Sequence, residues 1–290
     1  MKTTATCQCC HTEHPTSQMI QTSLPKRGGA PAYYCQECNR NRWYHTSNNE
    51  KQGKDKASKV ETGIENETAY TSNNARNQLF AYGMIPTSDS SLTGARTCEY
   101  VTGIMQGLNI ASKLALTIEK LQNSGDLIIN DSCGTHFHVS VDSMKDKNGC
   151  QTYMGYIRRF YHSLFVPLSK AMENDREKTI RVFGRYFQSH YAHSVNEYSN
   201  PNDRYNFINV TNDSNIEFRL NKFQSAKQYQ NLMKMEVEMV QIIVTNFCEH
   251  FNDIMIDRRR YASQTEYRKH KAQVTANKLV KCYEKYSANI

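Results

Sequence analysis

No stretch of this 290-residue chain comes near the roughly 18 uninterrupted apolar residues that a membrane-spanning helix needs. The opening run, MKTTATCQCC, has no apolar core of the kind a secretory signal requires. Together these absences lead to the expectation of a soluble, cytoplasmic protein with no membrane contact. Internal repeats are lacking too, which weighs against a repeat architecture. No G-x-x-x-x-G-K-[ST] segment occurs, so the glycine-rich loop that cradles phosphates in one large class of nucleotide-binding proteins is excluded.

What is present is enough hydrophobic sequence, 38%, for one large domain, or one domain with a small appendage. The net charge of +8 is confined to the ends. Residues 1–60 hold nine Lys/Arg against four Asp/Glu, and 257–290 hold nine against three, which leaves 61–256 near −3. Any argument from basicity to nucleic acid therefore concerns the ends alone.

Five of the ten cysteines fall within the first 38 residues and the others are scattered singly. Clustered thiols without a secretion signal favour metal over disulfides. Cys7 and Cys10 make one C-x2-C pair, and Cys35 and Cys38 make another after 24 intervening residues. Four thiolates so spaced suit tetrahedral, structural zinc, whose binding would supply the folding energy that so short a segment cannot find in a core. Cys9 and His11 stand as alternative ligands within the first knuckle. We therefore expect a zinc ribbon over 1–45 and a solvated linker over 46–59, TSNNEKQGKDKASK, which has no apolar periodicity.

From about residue 60 the pattern is that of an α+β domain. KVETGIENET reads as a strand and 72–84 as a helix with Leu79, Phe80 and Met84 inward. RTCEYVTG reads as a second strand. A helix over 105–123 follows, with Leu108, Ala111, Ala115, Ile118 and Leu121 at helical spacing. Strands are expected over 134–141, near 205–210 and over 215–221. Helices are expected over 151–172 and 225–252, and in the basic tail, 257–290. Unevenly interleaved strands with hairpin-like neighbours favour a mainly antiparallel sheet.

Three of these strands carry ionisable pairs at i and i+2, the spacing that puts side chains on one face: Glu65 and Glu67, His136 and His138, Glu217 and Arg219. Between the last two pairs lie Phe137 and Phe218, suited to the opposite, buried face. Singly, each pair has an ordinary reading as a solvated face, a structural histidine or a surface ion pair. Jointly, and with Glu99 on a fourth strand, they form a surface that is costly unless metal and phosphate neutralise it.

GIENET, GTHFHVS and IEFRLNKF resemble the signature segments of the amidoligase family, within the glutamine synthetase and glutamate–cysteine ligase superfamily. DSSLTGARTCEYVTG resembles its acidic segment, and RYNFINV its Arg/Lys-Tyr-x-x-x-Asn strand. These segments follow the family's order over about 60–255, and an N-terminal ribbon is an arrangement that members show. The resemblance implies a glutamine synthetase-like catalytic domain over 60–256, on a curved, mainly antiparallel sheet. It also implies an ATP-dependent carboxylate–amine ligase working through an acyl phosphate, on small-molecule or protein amines and carboxylates.

By the same resemblance, Glu67 and Glu99 hold one magnesium, with Asp89 as a third carboxylate ten residues before Glu99, where the superfamily usually has two close glutamates. Glu65, His136 and Glu217 hold the second magnesium, which bridges the nucleotide phosphates. His138 and Arg219 contact transferring phosphate oxygens. Arg185 and Arg204 are candidates for a substrate carboxylate or phosphate. Two other readings remain open. One is a nucleic-acid-binding module that grips phosphate through its basic ends, with Lys26, Arg27, Arg40 and Arg42 near the ribbon. The other is a phosphoryl transferase on the same site.

Overall fold

The computed structural model describes residues 4–6, 13–21, 33–36, 60–87, 91–141, 152–185, 187, 192–211, 215–249 and 263–288. The strands are β1 Thr4–Thr6, β2 Glu13–Pro15, β3 Met19–Gln21, β4 Tyr33–Cys35, β5 Val60–Thr68, β6 Tyr70–Thr71, β7 Ile85–Thr87, β8 Cys98–Val101, β9 Met105–Gln106, β10 Leu127–Ile128, β11 Thr135–Val141, β12 Ile208–Asn209 and β13 Ile216–Phe218. The helices are α1 Asn73–Ala81, α2 Asn109–Asn123, α3 Thr152–Arg159, α4 Tyr161–Asn174, α5 Arg176–Phe183, α6 Ala226–Ile243 and α7 Gln264–Ser287.

The centre is a seven-stranded sheet in the order β12-β13-β11-β5-β8-β7, with β9 also pairing β5. Every paired strand within it is antiparallel. A mixed α and β chain with an antiparallel sheet is thus the architecture. Strand β5 lies between β11 and β8, with Val60, Thr62 and Ile64 buried on one face while Glu61, Gly63 and Glu65 point the other way. Helix α6 covers the apolar face: Phe137 of β11 meets Tyr229 edge-on, with ring centroids 6.5 Å apart. Burying a large apolar side chain of this kind contributes about 1.5–3 kcal/mol. Helix α7 is built into the same core through Ala272, Leu279, Cys282 and Tyr283, so the basic C-terminal segment packs as part of the domain. No helix among the described residues is long and apolar enough to cross a membrane.

Several boundaries differ from the periodicity. Met105 and Gln106 extend the sheet beside Thr62 and Glu61, so α2 starts four residues later than its apolar spacing suggests. The expected 151–172 helix divides at Phe160 into α3 and α4. Beyond Ile243 the expected long helix passes into a π-helical turn, Val244–Cys248. Helix α5, absent from the sequence expectation, has the usual signals: Asp175 accepts from Lys178 N–H at its start, and Gly184 ends it at φ 67°. A Cβ at Gly184 would stand 2.8 Å from the Lys222 carbonyl oxygen, so only glycine permits this turn, and the turn delivers Arg185 to the sheet.

At the N-terminus, β1 pairs with β2 and β3 with β4, both antiparallel. Cys35 is buried and closes β4. Cys7, Cys10 and Cys38, the 46–59 linker and Asp89 lie outside the described residues.

Candidate active site

Register brings the three sequence pairs together. Across β11 and β5, His136 stands opposite Glu65. Across β11 and β13, His138 stands opposite Glu217, and across β5 and β8, Glu67 stands opposite Glu99. Strand alternation then puts all six on one face. Phe137 and Phe218, opposite each other in register, take the other face and are buried.

The distances are short. His136 Nδ1 lies 3.3 Å from Glu65 Oε2 and 3.4 Å from Glu217 Oε1, and its Nε2 lies 3.7 Å from Glu67 Oε1. His138 Nε2 approaches Glu65 Oε1 at 3.3 Å, while its Nδ1 is 3.1 Å from Asn215 Oδ1. Arg219 Nη1 donates to Glu217 Oε1, and Asn209 Nδ2 donates to Glu217 Oε2 at 2.5 Å. Asn209 is the Asn of the RYNFINV segment, so its motif was visible in the sequence although its role was not. Thr87 Oγ1 donates to Glu99 Oε2 at 2.7 Å, from a strand the sequence did not reveal.

Glu67 differs from its neighbours. Its Oε2 accepts the Gly134 N–H at 2.5 Å and lies 3.5 Å from Arg185 Nη2. Gly134 must be glycine for this: a Cβ there would stand 2.6 Å from the Arg185 guanidinium. Arg185 is therefore brought to Glu67 by two glycines, Gly184 behind it and Gly134 beneath it. Arg204, by contrast, is exposed and packs its guanidinium 5.3 Å from the Tyr205 ring centroid. Arg219 reaches the same ring at 5.7 Å.

Burial sets the electrostatics. Glu67, His136, Glu217 and Arg219 are all under 9% exposed. Burial raises the Glu65 pKa, but the hydrogen-bonding histidines outweigh it and hold this carboxyl well below the usual range. Glu99 is pushed up by burial and by the charge of Glu65. His138 is lowered by burial, yet Glu65 and Glu217 overcome this and raise it to about 9.

Two overlapping sets of donors lie within 4.8 Å of one another and could each hold a metal ion: Glu65, Glu99 and His136, and Glu65, His138 and Glu217. Glu65 belongs to both. A cavity of about 220 Å³ opens beside them, lined by Gly63, Glu65, Thr102, Ile104, His138 and Asn215 among others. Gly63 leaves the floor of this cavity bare between Glu61 and Glu65.

Comparison with known proteins bears on this geometry at one level. No curated protein shows significant similarity to the chain. Among solved structures, one described as "Apo GmaS without ligand" aligns over 94% of this chain and 80% of its own, at 11% identity and a TM-score of 0.32, a likeness too slight to carry an argument. The family model described as "Putative amidoligase enzyme" matches residues 43–242, more than half of the chain and every strand of the central sheet. The chain belongs to the amidoligase family.

Proposed function

We propose that the protein is an ATP-dependent ligase that joins a carboxylate to an amine through an acyl phosphate. The observation that carries this reading is the cluster around Glu65, where two three-donor sets share one carboxylate on a single face of the sheet. Hard carboxylate oxygens suit magnesium, and each set adds one imidazole to two carboxylates. Distance groups Glu65, Glu99 and His136 for one ion and Glu65, His138 and Glu217 for the other. The family resemblance instead divides them as Glu67 with Glu99 and Asp89, and Glu65 with His136 and Glu217. Apart from Asp89, which lies outside the described residues, both divisions draw on the same face, and Glu67 is tied to Gly134 and Arg185.

Magnesium, when bound, neutralises phosphate charge and orients the γ-phosphate. Positioning is left to the chain. Arg219, braced by Glu217 and Tyr205, is the candidate to stabilise the equatorial oxygens of a transferring phosphoryl group. Where the second ion takes Glu65, His136 and Glu217, His138 ligates no metal and faces the cavity as a donor to phosphate oxygens. That cavity is the candidate seat for the nucleotide, since the chain has no glycine-rich phosphate loop. Arg185, buried against Glu67, is the candidate to hold a substrate carboxylate, and exposed Arg204 is a more distant one. In the first step a substrate carboxylate oxygen bonds to the γ-phosphorus and the bond to ADP breaks. In the second, an amine nitrogen bonds to the acyl carbon, phosphate departs, and the nitrogen gives up a proton.

The test is magnesium-dependent ATP turnover by the purified chain against pools of carboxylates and amines, with hydroxylamine added to capture an acyl phosphate as a hydroxamate. ADP release together with hydroxamate supports the ligase. ADP release with a phosphorylated hydroxyl product would favour a phosphoryl transferase, and no metal-dependent ATP turnover with any pool would overturn the reading.

We also propose structural zinc at Cys7, Cys10, Cys35 and Cys38. Each C-x2-C pair begins where a strand ends, β1 at Thr6 and β4 at Cys35, as in a ribbon built from two hairpins. Elemental analysis should find about one zinc per chain, lost when Cys35 and Cys38 are replaced by Ser. Nucleic acid is a secondary partner for the basic ends. It would be lost without effect on ATP turnover when 1–59 is deleted and Arg258, Arg259 and Arg260 are neutralised.

A further inference from the structure

Helix α6 carries a carboxylate that the cluster does not use. Glu236 is fully buried, and neither of its carboxyl oxygens has a hydrogen-bond partner among the described residues. A small cavity beside it is walled by Phe183, Phe207, Phe218, Leu220 and Met235, so the surroundings are apolar. A buried, unpaired carboxylate costs several kcal/mol, and a leucine at this position would avoid that cost. Burial pushes the Glu236 pKa well above the ordinary range, against a smaller opposing influence from the Asn221 amide. Asn221 is itself fully buried, and both of its amide atoms lack a partner as well. Two neighbouring polar side chains have thus been kept in an apolar core.

Asn221 occupies a junction. Its carbonyl accepts the Thr135 N–H at 3.0 Å, which fixes the start of β11 next to His136. Two residues earlier, the Arg219 N–H donates to the Phe207 carbonyl at 2.9 Å. One residue later, the Lys222 N–H donates to the Phe183 carbonyl at 2.7 Å, at the end of α5 that leads through Gly184 to Arg185. A displacement of Asn221 would therefore be felt by His136, Arg185 and Arg219 together.

We propose that Glu236 is a positioning residue: acting from α6 on the Asn221 side chain, it fixes the 219–222 segment from which Arg219, and through its neighbours His136 and Arg185, enter the site. This rests on the reading of the cluster as a catalytic centre. A protonated carboxyl donates one hydrogen bond and accepts another, which matches the C=O and NH₂ of a primary amide. Glutamine offers the same pair of groups, and leucine offers neither.

The sign of the pH dependence follows. The folded-state pKa lies above the unfolded one, so the folded chain holds the extra proton between the two values. Stability contributed by the neutral acid is lost as pH rises out of the ordinary carboxylate range toward the raised pKa. Of the other groups that face Glu236, Tyr229 on the same helix titrates, pushed up by burial and then by Glu236 itself. The elements packed against α6 present apolar side chains and Asn221 there.

The experiment compares the full chain with Glu236→Gln, Glu236→Leu and Asn221→Ala. Amide hydrogen exchange is read in peptides spanning 216–223 and 134–138, together with stability against pH and magnesium-dependent ATP turnover. Glu236→Gln should keep wild-type exchange and turnover and flatten the fall of stability with pH. Glu236→Leu and Asn221→Ala should speed exchange in those two segments and lower kcat by about 10- to 100-fold, with the KM for ATP nearly unchanged. Wild-type exchange and turnover in Glu236→Leu would overturn the proposal, as would Glu236→Gln failing as badly as Glu236→Leu. If Glu236→Leu does not fold, Asn221→Ala decides by the same two measurements. Exchange needs no activity, so a wild-type chain without ATP turnover would sink the ligase reading while leaving the positioning proposal decided by exchange.

Discussion

The two faces of the central sheet are made by the same strands and both hold buried side chains, yet burial means opposite things on them. On one face Ile64, Phe137 and Val139 are 0% exposed, and removal from water is itself the stabilising event. On the other, His136 at 2% and Glu217 at 4% are held against the same loss of water by one another. Desolvation there has to be offset by ion pairing among fixed side chains. The contrast teaches that this fold stabilises itself on one face and holds a tense, charged surface in place on the other. Substitutions on the two faces should therefore separate stability from activity.

The largest effect is expected on the apolar face. Phe137→Ala removes a fully buried ring packed against Tyr229 and should cost about 3–5 kcal/mol of folding stability, measured by urea unfolding. An unfolding midpoint near wild type would mean that α6 does not close on the sheet as described. Next in size is the mirror experiment. Glu99 is half-buried beside the charge of Glu65, and both push its pKa up, so Glu99→Gln relieves repulsion. Stability of the metal-free chain should stay level or rise, while turnover should fall about 10²- to 10³-fold, a barrier increase of about 2.7–4 kcal/mol. A stability loss equal to that of Phe137→Ala would break the comparison.

How far the sequence disclosed this contrast depends on the range of the forces involved. The period-two placement of Glu65 with Glu67, His136 with His138, and Glu217 with Arg219 is a local property of strands, and it was legible. So was the apolar partner face, through Phe137 and Phe218. Which carboxylate meets which imidazole was not legible, because register between β5, β8, β11 and β13 is decided by contacts far apart in the chain. The pairing of Glu67 with Gly134 and Arg185 joins residues more than 60 positions apart. Helix α5, which delivers Arg185, is only eight residues long, REKTIRVF, too short a window for an apolar period to be read. Met105 and Gln106 match a helical spacing but are captured by the edge of β5, where a tertiary hydrogen-bond ladder overrides the local pattern. Glu236 sits in the helix expected over 225–252, and no local signal marks a carboxylate as buried.

A smaller effect is expected where the two faces meet at the start of β11. Gly134→Ala would drive a methyl group into the Arg185 guanidinium, 2.6 Å away. Because that guanidinium is the far end of a long side chain, it can swing aside, and overpacking of this kind costs about 1–3 kcal/mol. Its departure from Glu67 should be read more clearly in turnover, through a raised KM for the carboxylate substrate, than in the unfolding midpoint. An unchanged KM with a large stability loss would assign Arg185 to the packing and remove it from the substrate site.

The smallest effect concerns a support remote from both faces. Ser72 caps α1 by accepting the Ala75 N–H at 3.0 Å, and its hydroxyl donates to Asp126 Oδ1 at 2.6 Å. Asn74 and Ser124 also donate to Asp126, and these three hydrogen bonds hold its carboxyl below the usual range. Ser72→Ala should cost about 1 kcal/mol through loss of the cap and leave turnover untouched. The sign with pH is set by the lowered pKa. The unfolded chain binds the extra proton between the two values, so this contribution is complete above the ordinary carboxylate range. It is lost as pH falls through the folded-state pKa. The difference between wild type and Ser72→Ala should accordingly shrink on acidification, since the variant has already given up the Ser72 hydrogen bond to the carboxylate. A gap that stays constant in acid would mean that the serine acts on α1 alone, without help from Asp126.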